Sequence, residues 1–379
     1  MKSQTTFKSV SGVKTVDTRS PKKAPSLVLA LTALLFLNVA CSDPFPVSGS
    51  FRYKSLSSTV VIPDDGLPPD DQTEEPTEPA EPPALVCDRE LASKLELSTQ
   101  VQMNWYATHG GRIPTPANRA RFIPGTNGRI IVLVHGFLSS PLWMGDLAES
   151  FSKEGFSVLM PLMTGYGAGP KEANASTIED WRASVIEAVE LAKGCYSDVN
   201  VVAHSLGAAI ITDELVNRGR TGISRVALIA PYFRTGYSNL SVMTEALRLT
   251  TDDLSVEGIE DATGIDPYEY LPIERPYPGE PDAFLPLVAL DRLIDMAGLF
   301  EQPVQKRVSI PMFYALSHED SAINNQFAGR YATMAFTSPD LLYYPRAARV
   351  GHGIHRRVEN RYYDVLVERL LQHLNAQAP

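Results

Sequence analysis

The 379-residue chain sets 34 Lys and Arg against 44 Asp and Glu, a formal charge of −10. Its first 40 residues hold six bases and one acid, so the remainder stands near −15 (−10 minus +5), an acidity that disfavours nucleic acid as a partner. Three cysteines, Cys41, Cys87 and Cys195, fit neither a zinc site nor a C-x-x-C redox pair.

Met1 to Ala24 is basic and polar, and Leu27 to Ala40 is a mostly apolar run of 14 residues. That run falls short of the roughly 20 residues needed to span a bilayer and matches a signal-peptide core. It ends in Val39-Ala40-Cys41-Ser42, which resembles the lipobox of bacterial lipoproteins. The resemblance implies cleavage before Cys41 and a diacylglycerol on its sulfur, with Ser42 favouring the outer membrane. Asn38 stands where the pattern has Leu, with Leu37 one place further back. An ordinary cleaved signal, secretion to the periplasm or beyond, and an uncleaved anchor are the alternatives. The long basic lead also suggests a start codon downstream of Met1. Pro63 to Pro83 then carries seven prolines and eight acids, an extended, self-repelling spacer. The expected organisation is a signal over 1–40, a tether over 41–86 and a folded domain over 87–379, large enough for a sizeable core. Outside the cytoplasm Cys87 and Cys195 could pair; two free thiols are the alternative.

Leu91 to Tyr106 predicts an early helix or a strand pair. Arg129 to Val134 is a continuous apolar run of strand length that breaks into His135-Gly136-Phe137. A glycine there lets the chain turn away and leave a backbone N–H facing the strand's carboxyl edge, where open α/β sheets bind ligands. Helical spacing follows over Leu142 to Lys153, then a strand over Phe156 to Leu162 and a glycine-rich loop, Thr164 to Pro170. No G-K-[ST] follows that loop, which argues against a phosphate cradle. Ser176 to Lys193 predicts a helix, opened by Thr177 with Asp180 three residues on, with Trp181, Val185, Val189 and Ala192 facing inward. Ser224 to Ala230 is another strand. Strands alternating with helices argue for a mostly parallel sheet flanked by helices.

Arg234 to Pro281 breaks this rhythm and is rich in Tyr, Pro and acids, with one helical stretch at Leu240 to Leu249. It predicts a cap, about 234–300, inserted over the ligand-binding edge, with Tyr237, Tyr268, Tyr270 and Tyr277 at a pocket mouth. A plain surface insertion is the alternative. Ala283 to Leu299 reads as a helix, Val308 to Leu316 as a strand interrupted by Pro311, Leu341 to Tyr344 as the last strand, and Asn360 to Leu374 as the closing helix.

Val199 to Thr212, V-N-V-V-A-H-S-L-G-A-A-I-I-T, carries the chemistry. A β-branched strand leads straight into a small, apolar helix, and Ser205 sits at the junction. Such a turn holds its serine in a strained conformation with the hydroxyl exposed. It needs small neighbours two residues either side, here Ala203 and Gly207. A serine is a poor nucleophile until a base takes its proton, and histidine suits the task once a carboxylate fixes its tautomer. Asp320 and His352 follow in the chain order Ser, acid, His, each just after a predicted strand. Glu319 is the alternative acid. His355 is the alternative base, or else a surface residue. The backbone N–H groups of Leu206 and Phe137 are the natural pair of oxyanion donors, while His135 and His204 are expected to shape the two turns.

Four motifs in order, V-L-V-H-G-F (Val132 to Phe137), P-L-x-x-G-x-G (Pro161 to Gly167), A-H-S-L-G (Ala203 to Gly207) and E-D-S-A-I (Glu319 to Ile323), resemble the α/β-hydrolase superfamily over Arg129 to about Leu374. Within it, the chain is similar to the monoacylglycerol lipase and bacterial carboxylesterase branch, which commonly has a histidine where Tyr166 stands. The resemblance implies an α/β-hydrolase fold with an inserted cap. It also implies a cofactor-free serine hydrolase acting on small-molecule or lipid esters. Hydrolysis of a thioester, amide or lactone by the same machinery, or a non-catalytic envelope binding protein on the same fold, are the alternatives. With Cys41 lipidated, the implied location is the bacterial cell envelope.

Overall fold

The computed structural model describes residues 83–236, 240–249, 251–255 and 284–376. The signal, Cys41, nearly all of the tether and the four cap tyrosines lie outside them. Among the described residues no helix is long and apolar enough to cross a membrane.

The chain enters through helix α1 (Pro83–His109), which settles the choice between a helix and a strand pair. Its buried face is set by Leu91, Leu95 and Tyr106. The short strand β1 (Arg121–Ile123) follows, then β2 (Ile130–Val134), α2 (Gly145–Lys153) and β3 (Ser157–Met160). The glycine-rich loop leads to a short helix, α3 (Pro170–Ala175), and then α4 (Ile178–Lys193). Thr177 caps α4 in a full capping box: its hydroxyl accepts the Asp180 N–H, and the Asp180 carboxylate accepts the Thr177 N–H at 2.8 Å. Strand β4 (Val199–His204), helix α5 (Ser205–Val216) and strand β5 (Arg225–Ile229) complete the first half.

Among the described residues the main sheet has seven strands in the order β1-β3-β2-β4-β5-β8-β9, where β8 is Met312–Ser317 and β9 is Pro339–Tyr344. Strand β1 runs antiparallel to β3; every other neighbouring pair is parallel. Strands β2, β4, β5 and β8 are buried along their whole length. Strands covered by helices on both faces bury every residue, which is why they read as continuous apolar runs rather than alternating ones. Strand β9 is an edge and is half exposed, with Tyr344 buried.

Between β5 and β8 the chain leaves this sheet. The described part comprises α6 (Leu240–Arg248), an antiparallel ribbon of β6 (Asp253–Ser255) with β7 (Phe284–Pro286), and α7 (Leu287–Gly298). The helix expected from Ala283 therefore starts later, because Phe284 to Pro286 pairs with β6. Asn174 at the end of α3 fixes this segment: its side-chain oxygen accepts the Val288 and Ala289 N–H groups, both at 3.0 Å. The strand expected from Val308 starts only at Met312, past Pro311; Val308 makes an isolated bridge to Phe336. Helix α8 (Asn325–Ala335), outside every predicted element, lies between β8 and β9, and α9 (Tyr363–Asn375) closes the chain. A disulfide joins Cys87 in α1 to Cys195 just after α4.

Candidate active site

The parallel register brings the site together. Val134 at the end of β2 pairs with Ala203 at the end of β4, so residues 135–137 and 204–206 leave the sheet side by side. Strand β3 lies on the far side of β2, so the chain crosses over between β3 and β4 and the sheet order reverses there. That is the crevice where open α/β sheets bind ligands.

Ser205 has φ +50°, a left-handed conformation that is rare for a residue with a side chain and costs of the order of 1–3 kcal/mol. Helix α5, almost wholly buried, holds it there. Gly207 and Gly136 make the close approach feasible. A β-carbon on Gly207 would stand 2.5 Å from the His135 carbonyl oxygen, and one on Gly136 would stand 3.0 Å from the Ser205 β-carbon. The turn carrying Phe137 is thus pressed against the serine.

His352 Nε2 lies 2.9 Å from Ser205 Oγ, and His352 Nδ1 lies 2.8 Å from Asp320 Oδ2. Because the carboxylate can only accept, the proton is assigned to Nδ1, leaving the Nε2 lone pair directed at the serine hydroxyl. The Asp320 side chain is fully buried and His352 only slightly exposed, so water weakens this contact little. The other Asp320 oxygen accepts the Ala322 N–H at 3.0 Å, fixing the carboxylate plane. Glu319 is elsewhere, in an exposed ion pair with Arg346, and His318 contacts the Tyr343 hydroxyl.

His204 Nε2–H donates to the His352 carbonyl at 3.1 Å, tying the loop that carries His352 to the elbow. His355 is fully buried, with its ring 4.0 Å from that of His204, so the surface reading of His355 is corrected. Its burial, then the neighbouring Arg356 and His352, hold it neutral, well below the ordinary histidine range. His135 accepts the Met163 N–H on Nε2 at 3.0 Å and donates from Nδ1 to the Gly136 carbonyl at 2.8 Å. Burial lowers its pKa to about 4, consistent with this neutral, two-sided role. It joins the loop after β2 to the loop after β3.

The Leu206 N–H lies in the first turn of α5, where helix N–H groups have no intrahelical acceptor. The Phe137 N–H follows Gly136 on the facing turn. Tyr166 is fully buried; its ring stacks on Trp181 at 5.5 Å and meets Phe137 edge-on at 5.7 Å. Among the described residues no cluster of His, Cys, Asp and Glu is arranged to hold a metal ion.

The alpha/beta hydrolase family model matches residues 131–368, more than half of the chain. The chain belongs to the alpha/beta hydrolase family. A curated relative, the thermostable monoacylglycerol lipase of Bacillus sp. (strain H-257), is 34% identical over 85 residues. That match covers 22% of this chain and 34% of the relative, so the chain spans about a third of the relative's length. Among solved structures, a soluble variant of monoglyceride lipase from Saccharomyces cerevisiae in complex with a substrate analogue is similar at a TM-score of 0.55 and 13% identity, over 68% of this chain and 90% of that one. A structure from work on the metagenome-derived lipolytic enzymes LipS and LipT gives 0.54 and 21%, over 69% and 98%. The monoacylglycerol lipase of Paleococcus ferrophilus gives 0.51 and 17%, over 67% and 98%. At these identities the structures speak for the fold of this alpha/beta hydrolase.

Proposed function

We propose that this alpha/beta hydrolase cleaves carboxylic esters through an acyl-enzyme on Ser205. The observation that carries the proposal is the unbroken chain from Asp320 Oδ2 through His352 to Ser205 Oγ, with contacts of 2.8 and 2.9 Å. Ser205 Oγ attacks the ester carbonyl carbon while its proton passes to His352 Nε2. The carbonyl oxygen gains the electron pair as an oxyanion, taken up by the Phe137 and Leu206 N–H groups. Collapse of this intermediate breaks the C–O bond, and the departing alkoxide takes the proton back from His352. Water, deprotonated by the same nitrogen, then releases the acid and restores Ser205. Asp320 keeps the histidine in the productive tautomer and stabilises the imidazolium.

The lipase named among the relatives favours acylglycerols and other small esters as substrates. The segment between β5 and β8 is read as a cap over this site. We also propose that Cys41 carries a lipid and holds the domain on the bacterial envelope, outer membrane favoured, through the acidic proline tether. The Cys87–Cys195 disulfide supports an oxidising compartment. Radiolabelled or alkyne-bearing fatty acid incorporated by wild type and lost in Cys41→Ser supports the anchor; equal incorporation by both opposes it.

The test of the hydrolase reading is a series of p-nitrophenyl esters from acetate to laurate with the full-length chain in mild detergent. Hydrolysis that disappears in Ser205→Ala supports it. Turnover of thioester or amide analogues in preference to all the esters would shift the reading to another acyl bond. No turnover of any of them by a folded protein would favour a binding role.

A further inference from the structure

Helix α1 lies before the segment matched by the family model, yet it holds the glycine-rich loop that packs against the proposed oxyanion turn. Tyr106, fully buried at the end of α1, places its hydroxyl between two backbone groups of the glycine-rich loop. The hydroxyl donates to the Tyr166 carbonyl at 2.6 Å and accepts the Gly165 N–H at 2.9 Å. One turn earlier, Gln102 Nε2 donates to the Leu162 carbonyl at 2.7 Å and to Thr164 Oγ1 at 3.2 Å. The helix therefore grips the first half of a loop that contains a left-handed glycine, Gly165 at φ +95°.

The loop bears on the site through Tyr166. Its ring is wedged between Trp181 and the edges of Phe137 and His135, the latter 5.9 Å away. His135 in turn bonds the loop at Met163. A shift of the Tyr166 backbone cannot be absorbed in a packed interior without moving Phe137, whose N–H faces the developing oxyanion. Without the Tyr106 hydroxyl, a buried N–H and a buried carbonyl would both lack their partner, a state the loop relieves only by moving.

We infer that Tyr106 is a positioning residue for the oxyanion turn, acting through Gly165 and Tyr166 on Phe137. The role rests on the hydrolase reading above. Because an oxyanion donor acts on charge that exists only in the transition state, displacing it lowers kcat and leaves KM nearly unchanged. Removing such a donor outright costs about 10²–10³-fold, so a displaced one is expected to cost about tenfold.

The test compares wild type, Tyr106→Phe and Tyr363→Phe as full-length chains on p-nitrophenyl butyrate. Tyr363 is a control of the same kind, a buried tyrosine whose hydroxyl contacts Ser150 Oγ at 3.1 Å on α2. The expected result is a kcat about tenfold lower in Tyr106→Phe, KM within about twofold, and wild-type kcat in Tyr363→Phe. Wild-type kcat in a folded Tyr106→Phe overturns the inference, and so does an equal loss in both variants, which would mark general destabilisation. If Tyr106→Phe does not fold, Gln102→Leu serves instead: a several-fold loss of kcat at constant KM supports the role and an unchanged kcat overturns it. A wild type without activity instead brings down the hydrolase reading itself, and with it this one.

Discussion

Gly207 and His135 approach so closely that a β-carbon on Gly207 would stand 2.5 Å from the His135 carbonyl oxygen and 2.6 Å from Val134 Cγ1. This contact joins the first turn of α5 to the end of β2 and sets the spacing between the serine and the turn opposite. Gly207→Ala must push β2 and α5 apart, at about 1–3 kcal/mol for an overpacked core position. Chemical denaturation should report that loss, and kcat on p-nitrophenyl butyrate should fall more than tenfold at a temperature where the variant is folded. Wild-type kcat in the alanine variant would show that the spacing does not matter.

Asp320 and Glu319 are neighbours in sequence with opposite surroundings, one fully buried against His352 and the other paired with Arg346 at the surface. Asp320→Asn keeps the shape but favours the wrong histidine tautomer, so kcat should fall by about 10³–10⁴-fold. Glu319→Gln should stay within about twofold of wild type, since exposed ion pairs contribute little. The reverse ranking in a steady-state assay would reassign the acid.

Three buried histidines give the fold an acid sensitivity of its own. Burial holds His135 at a pKa of about 4, and holds His204 and His355 well below the ordinary 6.5. In the native state they are neutral, whereas the unfolded chain protonates them as pH falls below about 6.5. The unfolded state then binds more protons, so stability declines as pH drops below 6.5, for His135 until its native value of about 4 is reached. Each histidine contributes up to about 1.4 kcal/mol per pH unit in that window. The melting temperature should fall by about 10 °C or more between pH 7 and pH 5, and by less in His355→Leu. A melting temperature flat across that range would contradict the neutral assignment.

The disulfide between Cys87 and Cys195 closes 108 residues of sequence and fixes the start of α1 to the end of α4. Its loss is expected to cost about 2–4 kcal/mol, largely by freeing the unfolded chain. A Cys87→Ser, Cys195→Ser double variant should melt about 5–15 °C lower, and dithiothreitol should lower the wild type by the same amount. An unchanged melting temperature would mean that the packing and hydrogen bonds of α1 hold it without the disulfide.

Much of this architecture is legible in the sequence for a simple reason. Strands β2, β4, β5 and β8 are buried on both faces, so each is an apolar run, and Ser205 and Asp320 fall just beyond two of them, β4 and β8, whereas His352 follows the half-exposed edge strand β9. The Thr177–Asp180 box likewise marks the start of α4 in the chain itself. Short or irregular elements left no such trace. Strand β1 has three residues, too few for a period, and β7 has three and ends in proline. Helix α8 carries Gly329 and a run of small residues that blur its period, although Asn324 does cap it, accepting the Phe327 N–H at 2.9 Å. The buried place of His355 depends on a ring contact with His204, 151 residues away (355 minus 204). The grip of Tyr106 on Gly165 and Tyr166 spans about 60 positions. Contacts of this kind exist only once the chain has folded, and no local pattern announces them.

The most direct test of a nucleophile at Ser205 is labelling of the full-length protein with a fluorophosphonate, read by intact mass. Wild type should gain a single adduct, because attack by the Ser205 hydroxyl on phosphorus with loss of fluoride needs the same base and oxyanion donors as attack on an ester. Ser205→Ala should gain none. Wild type that stays unlabelled while folded, or a Ser205→Ala variant that labels as fast as wild type, would contradict a serine hydrolase built on this residue.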